Sequence, residues 1–204
     1  MMKKLHLLLM TCLLFILCSC KNETDKALEE VALLKKIQEQ ELAKGERYDT
    51  ILLNYRLGMS RLEWQKHSDS LVEIGKLVKN DDGDFIYDFG KVSGAGDTDL
   101  KISFFFDDDK LWLSSCDFTN PEVSIFEVNK ILPNKKGSAI LFSLDGVDII
   151  KYIYRNRQLN LRRDFEGATI EYFDLPTKLK LDKEQEVRDS LERQDVKQKL
   201  KEDF

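Results

Sequence analysis

The sequence predicts an α+β fold, in which an antiparallel β-sheet carries helices on one face. Two features of the 204 residues support this prediction. Between residues 85 and 175, apolar side chains mostly alternate with polar ones, which is typical of strands. On either side of this region, apolar residues recur every three or four positions, as in amphipathic helices. We therefore expect an N-terminal helical tether before the sheet domain and a charged helix after it.

The N-terminus has the pattern of a secretory signal. Lys3 and Lys4 precede an apolar run that ends at Leu17-Cys18-Ser19-Cys20. The run is too short to span a bilayer, which needs about 20 residues. Its ending resembles the lipobox of bacterial lipoproteins. That resemblance implies cleavage between Ser19 and Cys20, a diacylglycerol on the Cys20 thiol and an acyl chain, such as palmitate, on its new amino group. The alternative is an ordinary secretory signal cut near the same place.

These patterns divide the chain into four parts. They are a signal peptide (1–19), a lipidated helical tether (20–46), an α+β domain (47–176) and a charged C-terminal helix (177–204). The tether has a modest apolar stripe, which suits either a coiled-coil partner surface or, preferably, a solvated helix that lifts the domain off the membrane. Gly45 is expected to end it. The lipid would place the protein in the cell envelope at the outer membrane. Both the periplasmic side and the cell surface fit the sequence.

The first helix of the domain has the clearest start. Residues 49–57 alternate and predict an extended segment or edge strand. Ser60 and Glu63 then match the capping box Ser-x-x-Glu, which predicts a helix start at that point. Apolar spacing extends this helix to Val78. His67 lies on the apolar stripe, and we interpret it as a packing residue rather than a ligand.

Period-two alternation begins at Phe85. It predicts a strand at 85–89, a loop at 90–99 and a hairpin formed by 100–106 and 111–118. In this hairpin, Phe104 and Phe106 should share one face while Phe105 takes the other. On the partner strand, Trp112 is expected on the same face as Cys116.

The second half of the domain is less clearly patterned. Residues 123–132 fit a helix or a strand, and 139–144 form a short apolar run. Residues 148–163 and 168–175 resemble a second hairpin. The terminal helix, 182–202, has a sparse apolar row. Its members are Val187, Leu191, Val196 and Leu200.

Composition restricts the chemistry. The net charge is −5, with no basic stripe, which argues against binding to nucleic acid. In the processed chain, Cys116 would be the one free thiol, and we expect it to be a small buried residue. No catalytic residue, metal site or cofactor is predicted. Paired carboxylates, such as Asp88, Asp117 or Asp148, are the only residues in the sequence that suggest the catalytic groups of a hydrolase.

Three short motifs and one strand pair resemble a group of uncharacterised lipoproteins from Bacteroidota. The motifs are Leu57-Gly58-Met59-Ser60, Tyr154-Arg155-Asn156-Arg157-Gln158-Leu159 and Tyr172-Phe173-Asp174-Leu175, and the strand pair lies near Phe104 to Phe118. Together they span about residues 50–176. More loosely, Gly58-Met59-Ser60 with Glu63 is similar to the helix start of the SmpA/OmlA and beta-lactamase-inhibitor-like modules. That similarity implies a two-layer module that binds or scaffolds other envelope proteins.

Two functions follow as expectations. The favoured one is a non-catalytic module, anchored in the membrane through Cys20, that binds an envelope protein or glycan. The alternative is an envelope glycan or peptide hydrolase. The sheet has more aromatic residues than one covered face readily uses, so we expect some of them on the other face, where exposed rings mark contact sites. These residues are Phe104, Phe105, Phe106, Trp112, Tyr152, Tyr154 and Tyr172.

Overall fold

The computed structural model describes residues 25, 28–133, 135–144, 147–165 and 167–202. Ser19, Cys20 and the rest of the predicted signal peptide lie outside the described residues. The same is true of the side chain of Leu200.

The described chain contains four α-helices and eight strands. The helices are α1 (28–42), α2 (Arg61–Glu73), α3 (Ile125–Ile131) and α4 (Leu175–Glu202). The first four strands are β1 (Val78–Lys79), β2 (Phe85–Val92), β3 (Gly96–Asp107) and β4 (Lys110–Phe118). The last four are β5 (Ser138–Leu144), β6 (Val147–Tyr154), β7 (Arg157–Arg163) and β8 (Ala168–Asp174).

All eight strands form one antiparallel sheet, so the predicted α+β fold is confirmed. Their order is β1-β2-β3-β4-β8-β7-β6-β5. Each half of the sheet is a meander of four consecutive strands preceded by a helix, and the two halves join where β4 pairs with β8. The sequence did not predict this repeated order of helix and four strands.

By internal contacts, the chain divides into Met1–Gln40 and Glu41–Phe204. Within the first unit, Leu28 and Val31 of α1 are exposed. The helix ends where Gly45 adopts a positive φ, and Gly45 donates its N–H to the Leu42 carbonyl. No helix among the described residues is long and apolar enough to cross a membrane.

Helix α2 begins as the sequence pattern indicates. The Ser60 N–H donates to Glu63 Oε2 (2.8 Å), and the Glu63 N–H donates to Ser60 Oγ (3.3 Å). The preceding segment is fixed to β4, since the Gly58 N–H donates to the Leu111 carbonyl and the Leu111 N–H donates to that of Met59. These bonds set α2 over one face of the sheet.

The predicted extension of α2 to Val78 is wrong. The helix ends at Glu73, because Gly75 takes a positive φ that an L-residue rarely adopts. The Lys76 and Leu77 N–H groups turn back to the Leu71 carbonyl, and Leu77 is buried. Val78 starts a strand instead.

The main core lies between one face of the sheet and the helices α2 and α3. Leu71 of α2 and Val128 of α3 belong to the same buried cluster as Leu100, Cys116 and Ile170 of the sheet. Within the segment 123–132, the structure forms the helix Ile125–Ile131 rather than a strand, which resolves the two alternatives left by the sequence.

Three other expectations need correction. Residues 49–57 do not join the sheet: they turn through a 3₁₀ segment, Leu52–Asn54, which buries Ile51 and Tyr55. Residues 90–99 are mostly paired, because β2 and β3 continue past a bulge at Asp88/Gly90. Residues 148–163 are two strands, β6 and β7, rather than one, and they turn at Arg155-Asn156 with Arg155 at a φ of 58°.

Candidate binding surface

The second face of the sheet, opposite α2 and α3, holds the most distinctive side chains. Helix α4 leaves β8 directly, and its first turns lie on this face. Lys178 Nζ is 5.5 Å from the ring centroid of Phe173, and Lys180 Nζ is 3.0 Å from Asp107 Oδ2 at the β3–β4 turn. Phe173 is placed there by its cross-strand partners, Leu113 and Gln158.

A β-bulge places the second tryptophan on this face. Phe105 pairs with Leu113, whereas Phe106 pairs with Leu111, so Trp112 is the extra residue. Leu111 is consequently in the core, and Trp112 lies 6.1 Å from Phe173, ring centroid to ring centroid. The expectation that Trp112 would share the face of Cys116 is therefore wrong, because strict alternation fails at a bulge.

We call Phe105, Trp112, Leu113 and Phe173 the aromatic patch. Phe105 is 46% exposed, Trp112 and Leu113 are half-buried, and Phe173 is buried beneath them. A tryptophan and a phenylalanine that keep accessible surface on a sheet face are typical anchors of a protein interface.

Polar side chains continue the second face beyond the patch. The Gln158 amide donates to Asn160 Oδ1 (2.9 Å), and the Asn160 amide donates to Glu171 Oε2 (3.1 Å). On the next row, Thr169 Oγ1 donates to Asp117 Oδ1 (2.9 Å). Gln158, Asn160 and Thr169 are buried, so the polar groups accessible beside the patch are the carboxylates of the half-buried Glu171 and the exposed Asp117. An apolar centre with polar groups at its edge is the usual anatomy of a binding surface.

The other aromatic residues of the predicted set lie elsewhere. Phe104 and Phe106 pack against Trp64 of α2 at 5.5 and 5.7 Å between ring centroids, and Tyr172 is buried in the main core. Tyr152 is partly buried against that core and donates its hydroxyl to Asn129 Oδ1 (2.8 Å). Of the seven predicted aromatic residues, Phe105 is the one whose side chain is exposed.

A partly buried polar cluster joins two of the three motifs that resemble the Bacteroidota lipoproteins: Asn156 and Asp174 are buried, whereas Arg47 and Asp49 keep exposed surface. The Asn156 amide donates to Asp49 Oδ1 (2.7 Å) and Asp174 Oδ1 (3.1 Å), while its Oδ1 accepts the Tyr48 N–H (2.6 Å). Arg47 bridges the same two carboxylates at 2.9 Å each. Burial alone would lower the pKa of Arg47, but these partners hold it above its ordinary value. We call Arg47, Asp49, Asn156 and Asp174 the polar clamp.

Cations and tyrosines surround the clamp. Arg157, nearly fully buried, donates to the Thr50 carbonyl (2.6 Å), and its guanidinium lies 4.5 Å from the Tyr48 ring centroid. Burial lowers the pKa of Arg157. Lys136 Nζ lies 4.4 Å from the same ring, which packs edge-on against Tyr154. These contacts hold the start of the domain against the β6–β7 turn.

The three candidate carboxylates do not form a pair. Asp88 accepts the Gly90 N–H, Asp117 accepts from Thr169, and Asp148 accepts from Ser143 Oγ. Asp117 and Asp148 are on strands three positions apart, about 14 Å at ordinary strand spacing, and alternation puts them on opposite faces. Asp88 is two strands from Asp117 and offset by two residues, about 12 Å away.

Cys116 and His67, the thiol and the imidazole considered from the sequence, both lie in packed surroundings. Cys116 is fully buried, and burial raises the pKa of its thiol to about 12. The His67 ring packs edge-on against Tyr55 at 4.6 Å, and its Nε2 lies 2.9 Å from the Leu53 carbonyl oxygen, so it is a packing residue. In the part of the chain that the structure describes, no three His, Cys, Asp or Glu residues are grouped so that they could hold a metal ion.

Two shallow surface depressions have described linings that come from α4 alone. One includes Val187 and Arg188, and the other includes Arg193 and Val196. Neither lining gathers side chains from the sheet, where the candidate carboxylates lie.

Comparisons with protein-family models, curated proteins and solved structures found no match to this chain. The candidate binding surface is therefore inferred from the geometry of this structure alone. Sequence reasoning found Trp112 and Phe105 as candidates but missed the bulge that brings them together. It also missed the polar clamp, although Asn156 and Asp174 lie within the motifs it singled out.

Proposed function

We propose that the protein is a lipid-anchored lipoprotein of the cell envelope, and that it binds an envelope protein or glycan without catalysing a reaction. The observation that carries the proposal is the aromatic patch. Trp112 and Phe105 keep accessible surface on a sheet face that also exposes the Asp117 carboxylate, which accepts a hydrogen bond from Thr169. Tryptophan and other aromatic residues contribute a large share of the energy of many interfaces.

The anchor rests on the sequence ending at Cys20. Lipid chains contribute about 0.8 kcal/mol per buried CH₂ group, so two or three of them would hold the protein firmly in the membrane. The resemblance to Bacteroidota lipoproteins and to SmpA/OmlA-like modules favours the outer membrane and a scaffold role. In this proposal, the tether before residue 47 separates the binding domain from the lipid surface.

The hydrolase alternative gains no support from the site. A glycosidase needs two carboxyl groups about 5–10 Å apart across its substrate. Asp88, Asp117 and Asp148 are farther apart than this or lie on opposite faces, and each accepts a local hydrogen bond. These bonds account for the three side chains without a catalytic role.

Capture of partners from the native envelope tests the binding proposal. Full-length protein with Trp112→Ala should lose the molecules that co-purify with the unchanged protein. The matched control is Leu62→Ala, which removes a 61% exposed side chain from α2 and should leave capture unchanged. Equal capture by all three proteins would contradict the proposal. Turnover of an envelope polymer that disappears in Asp117→Asn would favour the hydrolase.

Metabolic labelling with a fatty-acid probe tests the anchor separately. Cys20→Ala should abolish the label and leave an unprocessed or unanchored chain. Cys18→Ala changes a neighbouring cysteine in the same motif, and it should keep the label. Undiminished labelling of Cys20→Ala would refute lipidation at that residue.

A further inference from the structure

The two edges of the sheet differ in length and composition. Strand β1 at one edge has only two residues, Val78 and Lys79, and this short charged edge offers little to pair with. Strand β5 at the other edge has seven residues, Ser-Ala-Ile-Leu-Phe-Ser-Leu, without a charge or a proline. In the described part of the chain, β5 pairs only with β6. It therefore presents a long row of backbone groups to a further strand.

Burial alternates along β5. Ile140 is buried and Phe142 is half-buried, with Lys151 Nζ 4.7 Å from the Phe142 ring centroid. Leu141 points to the face that carries α2 and α3 and is 54% exposed. Ala139 and Ser143, on the same face of the strand, are exposed too. An exposed leucine in the middle of an uncharged edge strand gains buried area when another strand is added.

The start of β5 is held closely on the sheet. A Cβ added to Gly137 would lie 2.0 Å from the Ile153 carbonyl oxygen, so only glycine permits this approach of the chain to β6. Pairing then continues along the whole strand, from Ser138 opposite Ile153 to Leu144 opposite Val147. The edge is thus a regular extension of the sheet, and its pairing with β6 has none of the β-bulges that blunt many edges.

We propose that β5 is a self-association surface, where a second copy of this chain adds its own β5 in antiparallel orientation. The central five residues of β5, 139–143, have a pattern of side-chain sizes that is symmetric about Leu141. In an antiparallel pair centred there, Leu141 faces the partner's Leu141, Ile140 faces the partner's Phe142, and Ala139 faces the partner's Ser143. Over these five central residues, large side chains meet large ones and small ones meet small ones, whereas at the ends Ser138 faces the partner's Leu144. No like charges face each other within the strand.

The same register keeps the two faces of the sheet continuous across the dimer. A two-fold axis perpendicular to the sheet keeps each face on its own side. Both copies of Leu141 therefore meet on the face that carries α2 and α3. The contact is isologous and closed, as in most homodimers. One continuous sheet of twice eight strands results. Because one seven-residue strand buries a small area, we expect a reversible, concentration-dependent dimer rather than an obligate one. The inference does not depend on the lipid anchor or on the aromatic patch.

Disulfide trapping at the proposed axis is the direct test. Opposed residues of antiparallel strands have Cα atoms about 4.5 or 5.5 Å apart, and both spacings allow a disulfide. Full-length protein with Leu141→Cys, extracted in detergent and oxidised, should give a covalent dimer. The control is Val78→Cys, a 62% exposed position on the other edge strand, which should stay monomeric. A cross-link to a different protein in place of the dimer, or equal yields from both variants, would overturn the proposal.

Sedimentation of the purified full-length protein gives an independent measure. The unchanged protein should pass from monomer to dimer as its concentration rises. Leu141→Lys, which puts two lysines at the axis, should weaken dimerisation about tenfold or more, whereas Val78→Lys should not. If Leu141→Lys loses its circular dichroism spectrum, Ser143→Lys serves in its place, because Ser143 is exposed on the same strand face. A protein that stays monomeric at every concentration would overturn the inference.

Discussion

The Asn156 amide donates to Asp174 Oδ1 at 3.1 Å, and this bond ties the β6–β7 turn to the residue where β8 passes into α4. The Leu175 N–H donates to the Asn156 carbonyl oxygen (2.6 Å) at the same junction. Asp174 Oδ2 also accepts from Thr177 Oγ1 (2.7 Å), which fixes the first turn of α4. The direction in which α4 leaves the sheet, and hence its position beside the aromatic patch, depends on this pair.

Asn156→Ala should therefore lower the free energy of unfolding by about 3 kcal/mol, because it breaks three hydrogen bonds and leaves the buried carboxylate of Asp174 less satisfied. The control is Asn129→Ala, which breaks the bond from Tyr152 and should cost about 1 kcal/mol. Urea titration measures both. Equal losses would show that the polar clamp has no special role.

Gly137→Ala should destabilise the domain more than Gly94→Ala. Both glycines have a positive φ, which costs an L-residue about 1–2 kcal/mol. Gly94 has open space where a Cβ would stand, whereas at Gly137 the Ile153 carbonyl oxygen occupies that space. The extra loss for Gly137→Ala should appear as a lower midpoint of thermal unfolding. A midpoint no lower than that of Gly94→Ala would contradict the close approach of β5 to β6.

The two tryptophans should behave differently on truncation. Trp64 is partly buried against the main core, where it packs on three phenylalanine rings, among them Phe85 and Phe104, so Trp64→Ala should cost about 3 kcal/mol of unfolding free energy. Trp112 is half-exposed on the second face, and Trp112→Ala should cost about 1 kcal/mol. Guanidinium titration of both variants checks this order. The reverse order would indicate that the main core lies on the second face of the sheet.

Acid should weaken the start of α2. Hydrogen bonds from the Ser60 N–H and then from Ser60 Oγ hold the pKa of Glu63 below its ordinary value of 4.5. The unfolded chain therefore takes up this proton first, and the stability present above about pH 4.5 is lost as the pH falls through the folded pKa. Glu63→Gln should show a smaller loss of stability between neutral pH and pH 3 than the unchanged protein does. Glu73→Gln, at the other end of α2, should match the unchanged protein, and an unaltered pH profile for Glu63→Gln would contradict the capping geometry.

Local patterns predicted those parts of the fold that local forces determine. The capping box at Ser60 and Glu63, the hairpin of β3 and β4 and the partition of Phe105 from Phe104 all depend on neighbouring residues, and all are present in the structure. Alternation predicted the faces correctly up to Phe106. It failed at Trp112 because a bulge changes the parity of a strand without altering its composition.

Features that depend on distant residues were not predicted. The polar clamp joins Asp49, Asn156 and Asp174, which lie up to 125 positions apart, and no spacing rule connects them. The division of 148–163 into β6 and β7 depends on Arg155 at a positive φ, which a turn imposes and arginine does not favour. The pairing of β4 with β8 is also long-range, so the sequence predicted strands but not their order.

Site-specific photo-cross-linking in the native envelope tests the central claim most directly. A photoreactive phenylalanine analogue at Phe105 lies within the aromatic patch, and one at Leu62 is exposed on α2 on the other side of the sheet. We expect a discrete adduct from position 105 that disappears when Trp112→Ala is added, and no such adduct from position 62. The same adduct from both positions, or an adduct at position 105 that Trp112→Ala leaves unchanged, would contradict binding through the aromatic patch.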